Sequence, residues 1–327
     1  MKSYVLFYGD KKLEDNICVL NMVENTHKIN LGWTDIDYKN NIKIIEKCID
    51  NKCNQIIFLG LEIGWDKMIS DLKKNHKELK IKVICNTQDS LLYYEYEREN
   101  FFRLLELSSK GIIDDIAFLR RSQYETYKGL GYECSWLMEN YNLKNQELNK
   151  IVENTKQEGT QVGIYPLNYT WDKNIFNQLC ITKFIENSNL NYNYLDPRMK
   201  EFLETMGIKS TPEKIEKIDE ENIIKSIKKN DVIVSTSFTE YMHPIFWISM
   251  ELGIPCLIGN NTDFFENEKY KELKEYIVTT SEDNPIINAK KVELIIQNKD
   301  RIIELYKQWK NEYNKIAEES KIKFINK

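Results

Sequence analysis

Along the chain, short unbroken apolar runs are separated by longer stretches with helical spacing. Residues 3–8 (SYVLFY) read as a first strand, and 37–51 as a helix whose apolar side carries Ile42, Ile44, Ile45 and Cys48. The run 55–61 (QIIFLGL) is apolar without alternation, the mark of a strand covered on both faces. There follow a helix over 66–76, a strand over 81–85, a helix over 90–109 with Ser90 as N-cap, a strand over 116–119 and a helix over 123–129. Strands spaced by helices in this way are expected to pair in parallel, as βαβ units.

Residues 140–159 interrupt the rhythm with a polar stretch rich in Asn, Lys and Glu, and the domain boundary is expected there, dividing the chain into 1–150 and 151–327. The second cycle reads as a strand over 161–166, a helix over 172–186, a strand over 191–195, a helix over 223–229 and the strand 231–237 (DVIVSTS). A helix over 244–252, a strand over 255–259, a last strand over 276–280 and a helical tail over 292–324 in two pieces complete it. The fold class expected is α/β with two Rossmann-like domains.

Composition narrows the function. Hydrophobic residues make up 42% and charged residues 30% of 327, a globular balance. The net charge of −5 gives no electrostatic pull toward nucleic acid. Cys18, Cys48, Cys53, Cys85, Cys134, Cys180 and Cys256 are scattered with no CxxC pair, and there are only three histidines, so no metal site is expected. Free thiols suit a reducing, cytoplasmic setting. The N-terminal apolar run is too short for a signal-peptide core. No stretch reaches the roughly 18 apolar residues of a membrane span, which leaves at most a peripheral membrane contact.

Open α/β sheets bind ligands beyond the carboxyl ends of their strands, so the loops after strands hold the candidates. Residues 165–178 (YPLNYTWDKNIFNQ) leave a strand and open a helix, a place suited to phosphate. Lys173 in that first turn is explained either by a bound anion or by a side chain in water. GxGxxG is absent. In 235–251 (STSFTEYMHPIFWISME), Glu240 lies between strand and helix, and His243 is the one histidine in such a loop. Each reads as a ligand contact or as a structural group. Residues 259–263 (GNNTD) offer turn chemistry or donors to sugar hydroxyls. Earlier in the chain, 86–89 (Asn86, Thr87, Gln88 and Asp89) follow a strand, Asp89 being a base or a helix-start acid. Arg120 and Arg121 are expected at a strand end, meeting an anion or solvent.

The stretch 231–261, DVIVSTSFTEYMHPIFWISMELGIPCLIGNN, resembles the donor-site segment of bacterial GT-B glycosyltransferases of the family 4 kind. Shared features are a strand ending in Ser, an acidic loop, a helix and the turn Gly253-Ile254-Pro255. Residues 162–178, with W-x-K-N-x-x-x-Q, look like the opening of the same domain. The tail with Tyr306, Trp309 and Tyr313 is similar to the helix that crosses back to the first domain in such enzymes. The likeness covers about 160–325; nearer the N-terminus only the run 60–66 (G-L-x-x-G-W-D) and the strand–helix rhythm are similar.

The resemblance implies two Rossmann-like domains facing a central cleft (GT-B), an N-terminal acceptor domain and a C-terminal donor domain. It implies transfer from a nucleotide-sugar, used as co-substrate without metal or other cofactor, to a glycan, lipid-linked or protein acceptor. Lys173 would hold the donor diphosphate, Glu240 the sugar hydroxyls, and His243 would assist at the phosphate or acceptor face. Trp171, Asn174, Ser237, Thr239, Tyr241, Met242, Pro244, Asn260 and Asn261 would surround the donor, and Asn86, Thr87, Gln88 and Asp89 would face the acceptor. One position departs from the family: its second glutamate, which grips the ribose, is Ile248 here. That departure keeps a non-catalytic sugar- or nucleotide-binding subunit open beside the transferase. A nucleotide-sugar epimerase of the same architecture is the third reading.

Overall fold

A computed structural model describes residues 4–9, 27–31, 38–140, 158–213, 220–239, 244–262, 264–265 and 267–327. The chain forms two compact units: Met1–Asn140 with Lys315–Lys327, and Tyr141–Asn314.

Unit 1 is built on a parallel sheet of β1 (Tyr4–Gly9), β2 (His27–Leu31), β3 (Gln55–Leu59), β4 (Lys80–Cys85), β5 (Asp115–Phe118) and β6 (Cys134–Trp136). Their order is β2-β1-β3-β4-β5-β6. β3 is buried along its whole length, as its unbroken apolar run requires. The helices are α1 (Tyr38–Asp50), α2 (Trp65–Asn75), α3 (Glu95–Ser109) and α4 (Arg121–Gly129). Phe7, Phe58, Trp65, Met68, Phe101 and Phe118 lie in the core between them and the sheet.

Unit 2 has β7 (Thr160–Ile164), β8 (Ser188–Asn193), β9 (Ser210–Glu213), β10 (Val232–Ser235) and β11 (Cys256–Ile258), all parallel, in the order β11-β10-β7-β8-β9. Its helices are α5 (Ile175–Cys180), α6 (Pro197–Thr205), α7 (Glu220–Ile227), α8 (Pro244–Glu251), α9 (Lys271–Ile277) and α10 (Pro285–Gln297), and the long α11 (Lys299–Asn326) starts within it. Trp309 of α11 stacks on Trp247 of α8 at 5.5 Å and 13° and donates its indole N–H to the Phe264 carbonyl. Glu251 accepts from Tyr306 (2.7 Å) and pairs with Lys310 (3.1 Å), which ties α8 to the same helix.

From Lys315 on, α11 belongs to unit 1, and its end meets β3, β4 and β5. A helix C-terminus leaves four carbonyls without intrahelical partners. Lys82, 1% exposed, donates to the carbonyls of Phe324 and Ile325, and Gln55 Nε2 reaches the Ile325 carbonyl at 3.2 Å. Lys327 Nζ pairs with buried Asp115 at 2.9 Å.

Four sequence expectations are corrected. The helix over 90–109 is a 3-10 turn (Asp89–Tyr93) followed by α3, because Tyr94 between them is extended; Ser90 lies inside the turn and caps nothing. The helix over 172–186 is a 3-10 turn (Trp171–Lys173), then α5, then another 3-10 turn, because Asn174 is left-handed at φ 53°. The strand over 276–280 does not form: Tyr276 and Ile277 end α9, and Val278 makes a single bridge to Ile258. Arg121 opens α4 instead of ending a strand, pairs with Glu125 (2.7 Å) and covers the Trp136 ring. β2, β6, β9 and α6 were not anticipated; β6 has three residues, and β9 (STPE) carries one of the chain's six prolines and no apolar run.

Candidate functional site

The strand order of unit 2 reverses direction between β7 and β10, the point where doubly wound sheets open a crevice beyond their strand ends. The chain leaving β7 there forms the turn Trp171–Lys173, and the chain leaving β10 forms the loop 236–239. Three hydrogen bonds join them. Asn174 Nδ2 donates to the Thr236 carbonyl (3.0 Å), Phe238 N donates to the Asp172 carbonyl (2.8 Å), and Thr239 Oγ1 donates to Asp172 Oδ2 (3.1 Å). The Trp171 and Phe238 rings lie side by side at 6.4 Å.

Lys173 sits at the edge of a small cavity lined by Tyr165, Pro166, Gln178, Ser235, Ser237 and Ile245. Its side chain is 14% exposed, and Nζ lies 3.8 Å from Asp172 Oδ2. The loop after β11 is tied to the loop after β10. Asn260 N donates to Glu282 Oε1 (2.7 Å), and Asn261 Nδ2 to the Ser237 carbonyl (3.0 Å). Gly259 is required there: a Cβ would come within 2.9 Å of the Ser237 carbonyl and 3.2 Å of Glu282.

The structure thus brings Lys173, Asn174, Ser237, Thr239, Asn260 and Asn261 to one end of one sheet, with differing tasks. Asn174 gives its amide to the carbonyls of Thr236 and Glu282 and its oxygen to Asn177, so its side chain braces the loops. Among the described residues, the helix openings offer few amides to a phosphate. α5 has six residues and opens at buried Asn174 and Ile175, and Pro244, first in α8, has no N–H. Lys173 is a cation that lines the cavity. Trp171 is half exposed. Glu240, Tyr241, Met242 and His243 lie outside the described residues. Ile248 is core at 2% exposure.

In unit 1, Asn86–Asp89 follow β4 but the direction reverses between β1 and β3. Thr87 Oγ1 donates to Glu97 (2.6 Å), and Asp89 accepts from Gln123 (3.1 Å) and Tyr127 (3.2 Å). Burial, then the Asp89 charge, pushes the Tyr127 hydroxyl well up from its ordinary range. The loop after β3 runs from Gly60 (φ 70°) to Gly64 (φ 80°), and its Glu62 accepts from Tyr96. Among the described residues, no cluster of His, Cys, Asp or Glu has the makings of a metal site.

No family model and no curated protein matches the chain. Solved structures do. Sucrose-phosphate synthase from Thermosynechococcus elongatus superposes with a TM-score of 0.67 over 99% of this chain and 98% of its own, at 10% identity. Anabaena HepE in complex with UDP-glucose gives 0.66 over 99% of each chain, at 8%. An E. coli trehalose-6-phosphate structure bound with UDP-2-fluoro glucose gives 0.64 over 99% and 98%, at 8%. The fold is GT-B.

Within that GT-B fold, sequence reasoning passed over three acids. Asp172 was noted only as a helix start, yet it holds the loop after β10. Glu282 follows a strand that never forms, and its contact with Asn260 is long-range. Glu62 lies inside the G-L-x-x-G-W-D run, where two glycines flanking an acid at the end of a buried strand were the available signal.

Proposed function

We propose that this chain is a glycosyltransferase of the family 4 kind, moving a sugar from a nucleotide-sugar to a glycan, lipid-linked or protein acceptor. The observation that carries the reading is Lys173 at the β7/β10 reversal, lining one cavity with Ser237 and carried on a turn fastened to the loop after β10. HepE and the E. coli structure, which share the fold, hold UDP-glucose and a UDP-sugar analogue.

The difficult part of glycosyl transfer is the departure of a nucleoside diphosphate as its negative charge grows. A fixed cation at that charge, in a partly dry cavity, lowers the barrier more than one that must reorganise. Lys173 takes this role. Glu240 orients the sugar hydroxyls, His243 assists at the phosphate or acceptor face, and Trp171, Thr239, Tyr241, Met242 and Pro244 shape the surroundings. Asn86–Asp89 of unit 1 serve the acceptor. The reaction proceeds without metal or other cofactor, so EDTA leaves turnover intact; abolition with rescue by Mg²⁺ or Mn²⁺ contradicts this. The setting is cytoplasmic or peripheral to a membrane; no helix among the described residues is long and apolar enough to cross one.

A second reading, a non-catalytic binding subunit, is favoured by Ile248. Glu251, the nearest carboxylate along α8, is engaged by Tyr306 and Lys310. Thermal-shift screening against UDP-, GDP-, CDP- and ADP-sugars tests both readings, since a ligand bound at 100 times its Kd adds about 2.7 kcal/mol to apparent stability. A shift with donor hydrolysis or transfer supports the enzyme, and a shift alone the subunit. Product analysis separates transfer from epimerisation. A flat response to all four sinks the nucleotide-sugar reading.

A further inference from the structure

Of the three bonds fastening the turn after β7 to the loop after β10, Asp172 accepts two, one on its carbonyl and one on its carboxylate. The same carboxylate lies 3.8 Å from Lys173 Nζ, within ion-pair range. Its side chain is 5% exposed, and Oδ1 has no hydrogen-bond partner among the described residues.

An acid in this place needs an explanation. A buried carboxylate with one hydroxyl bond is costly unless a cation stands beside it. Next to a diphosphate site it also subtracts from the positive potential that draws the ligand. Both costs are offset if the acid does something for the lysine. A lysine ammonium is a point charge on a flexible stem, which an anion on one side can hold at the cavity mouth before the ligand arrives. Thr239 in turn fixes the acid: its hydroxyl on Oδ2 sets the carboxylate plane and leaves the same oxygen near Nζ. Support of this kind, from a residue whose own geometry is locked, is what places a charged group within the tolerance of catalysis.

We propose that Asp172 is a positioning residue for Lys173, held by Thr239 and acting on the donor diphosphate only through the lysine. This rests on the nucleotide-sugar reading above. The test is a double-mutant cycle on the full chain with D172N, K173A, the double variant and T239V. The readouts are kcat and KM for the UDP-sugar, Kd for UDP, and the melting transition. D172N keeps its fold and loses about tenfold in kcat/KM, the scale of one charge-assisted contact. K173A loses more, and the double variant is no worse than K173A, because a positioning residue has nothing left to position. T239V loses a smaller factor in the same direction, and that loss also vanishes when K173A is added.

Losses that multiply in the double variant overturn the proposal, since they mean independent, structural roles. So does a D172N protein that binds UDP more tightly at unchanged kcat; Asp172 is then only a counter-ion that the donor displaces. Should D172N fail to fold, the T239V/K173A pair carries the same cycle, with the same two outcomes. A wild-type protein that neither binds UDP nor turns over any of the four nucleotide-sugars removes the underlying reading and this inference with it. An active wild type with multiplied losses removes the inference alone.

Discussion

In unit 1 the loop after β4 spends its polar groups on the helices beside it: Thr87 on Glu97 of α3, and Asp89 on Gln123 and Tyr127 of α4. In unit 2 the polar groups after β7 and β10 are spent on holding two loops together, and the cation Lys173 lines the cavity beside them. Both segments follow parallel strands, and both are rich in Asn, Asp and Thr. What differs is topology. The unit 2 loops flank the reversal of strand order, where helices leave on opposite faces and a gap must be bridged; the β4 loop lies one strand away from its reversal and packs on neighbouring helices. Small polar residues after a strand therefore mean little until the strand order is known.

The sharpest way to break this contrast is at Asn174. Asn174→Ala removes two hydrogen bonds to backbone carbonyls and puts Ala in a left-handed position, which together cost about 2–4 kcal/mol of stability. Asn174→Gly frees the backbone and costs about 1 kcal/mol less. Urea unfolding of the pair checks this; equal losses mean the conformation, not the amide, matters little. Next comes Lys173→Ala, which removes a charge-assisted contact worth about 1.5–3 kcal/mol and so lowers kcat/KM about 10- to 150-fold at near-normal stability. More of the loss falls on kcat than on KM, because the charge grows in the transition state. Steady-state kinetics that leave transfer at the wild-type rate move the donor site elsewhere. In unit 1, Asp89→Ala costs about 1 kcal/mol of stability and leaves the Kd for UDP unchanged, as isothermal titration will register.

The smallest effect lies at Asp196, which caps α6 and accepts from the Arg198 side chain and backbone N–H. These bonds, the side-chain one first, lower its pKa from 3.8 to about 2. A carboxylate depressed in the folded state contributes stability that is present above the unfolded value and lost as pH falls through the folded one. The gap in urea midpoint between wild type and Asp196→Ala is therefore constant above about pH 5 and narrows from about pH 4 toward 2. A gap that does not change with pH contradicts the assignment.

The α/β class was legible because apolar runs of strand length, such as 55–59 and 232–235, owe their burial to composition alone. The breaks at Tyr94 and Asn174 were not. Each interrupts a stretch with helical spacing beside a hydrogen bond between residues far apart along the chain: Asp89 accepts from Gln123, and Asn174 donates to the Glu282 carbonyl. For the site, Lys173 stood out because a cation in a helix's first turn is unfavourable. Asp172 beside it looked ordinary for the complementary reason: an acid at that position is what the helix dipole prefers.

The last turn of α11 has a consequence for biosynthesis. Unit 1 is completed by Lys315–Lys327, which the ribosome makes only after the whole of unit 2. Until then Lys82, a lysine destined for the interior, lacks the carbonyls of Phe324 and Ile325 that accept from it in the finished unit. Domains of nascent chains ordinarily fold in order from the N-terminus. Here the order is reversed. The unit begun first is finished last, and the nascent chain carries it incomplete through the synthesis of unit 2, an interval of about 10–35 seconds at 5–20 residues per second.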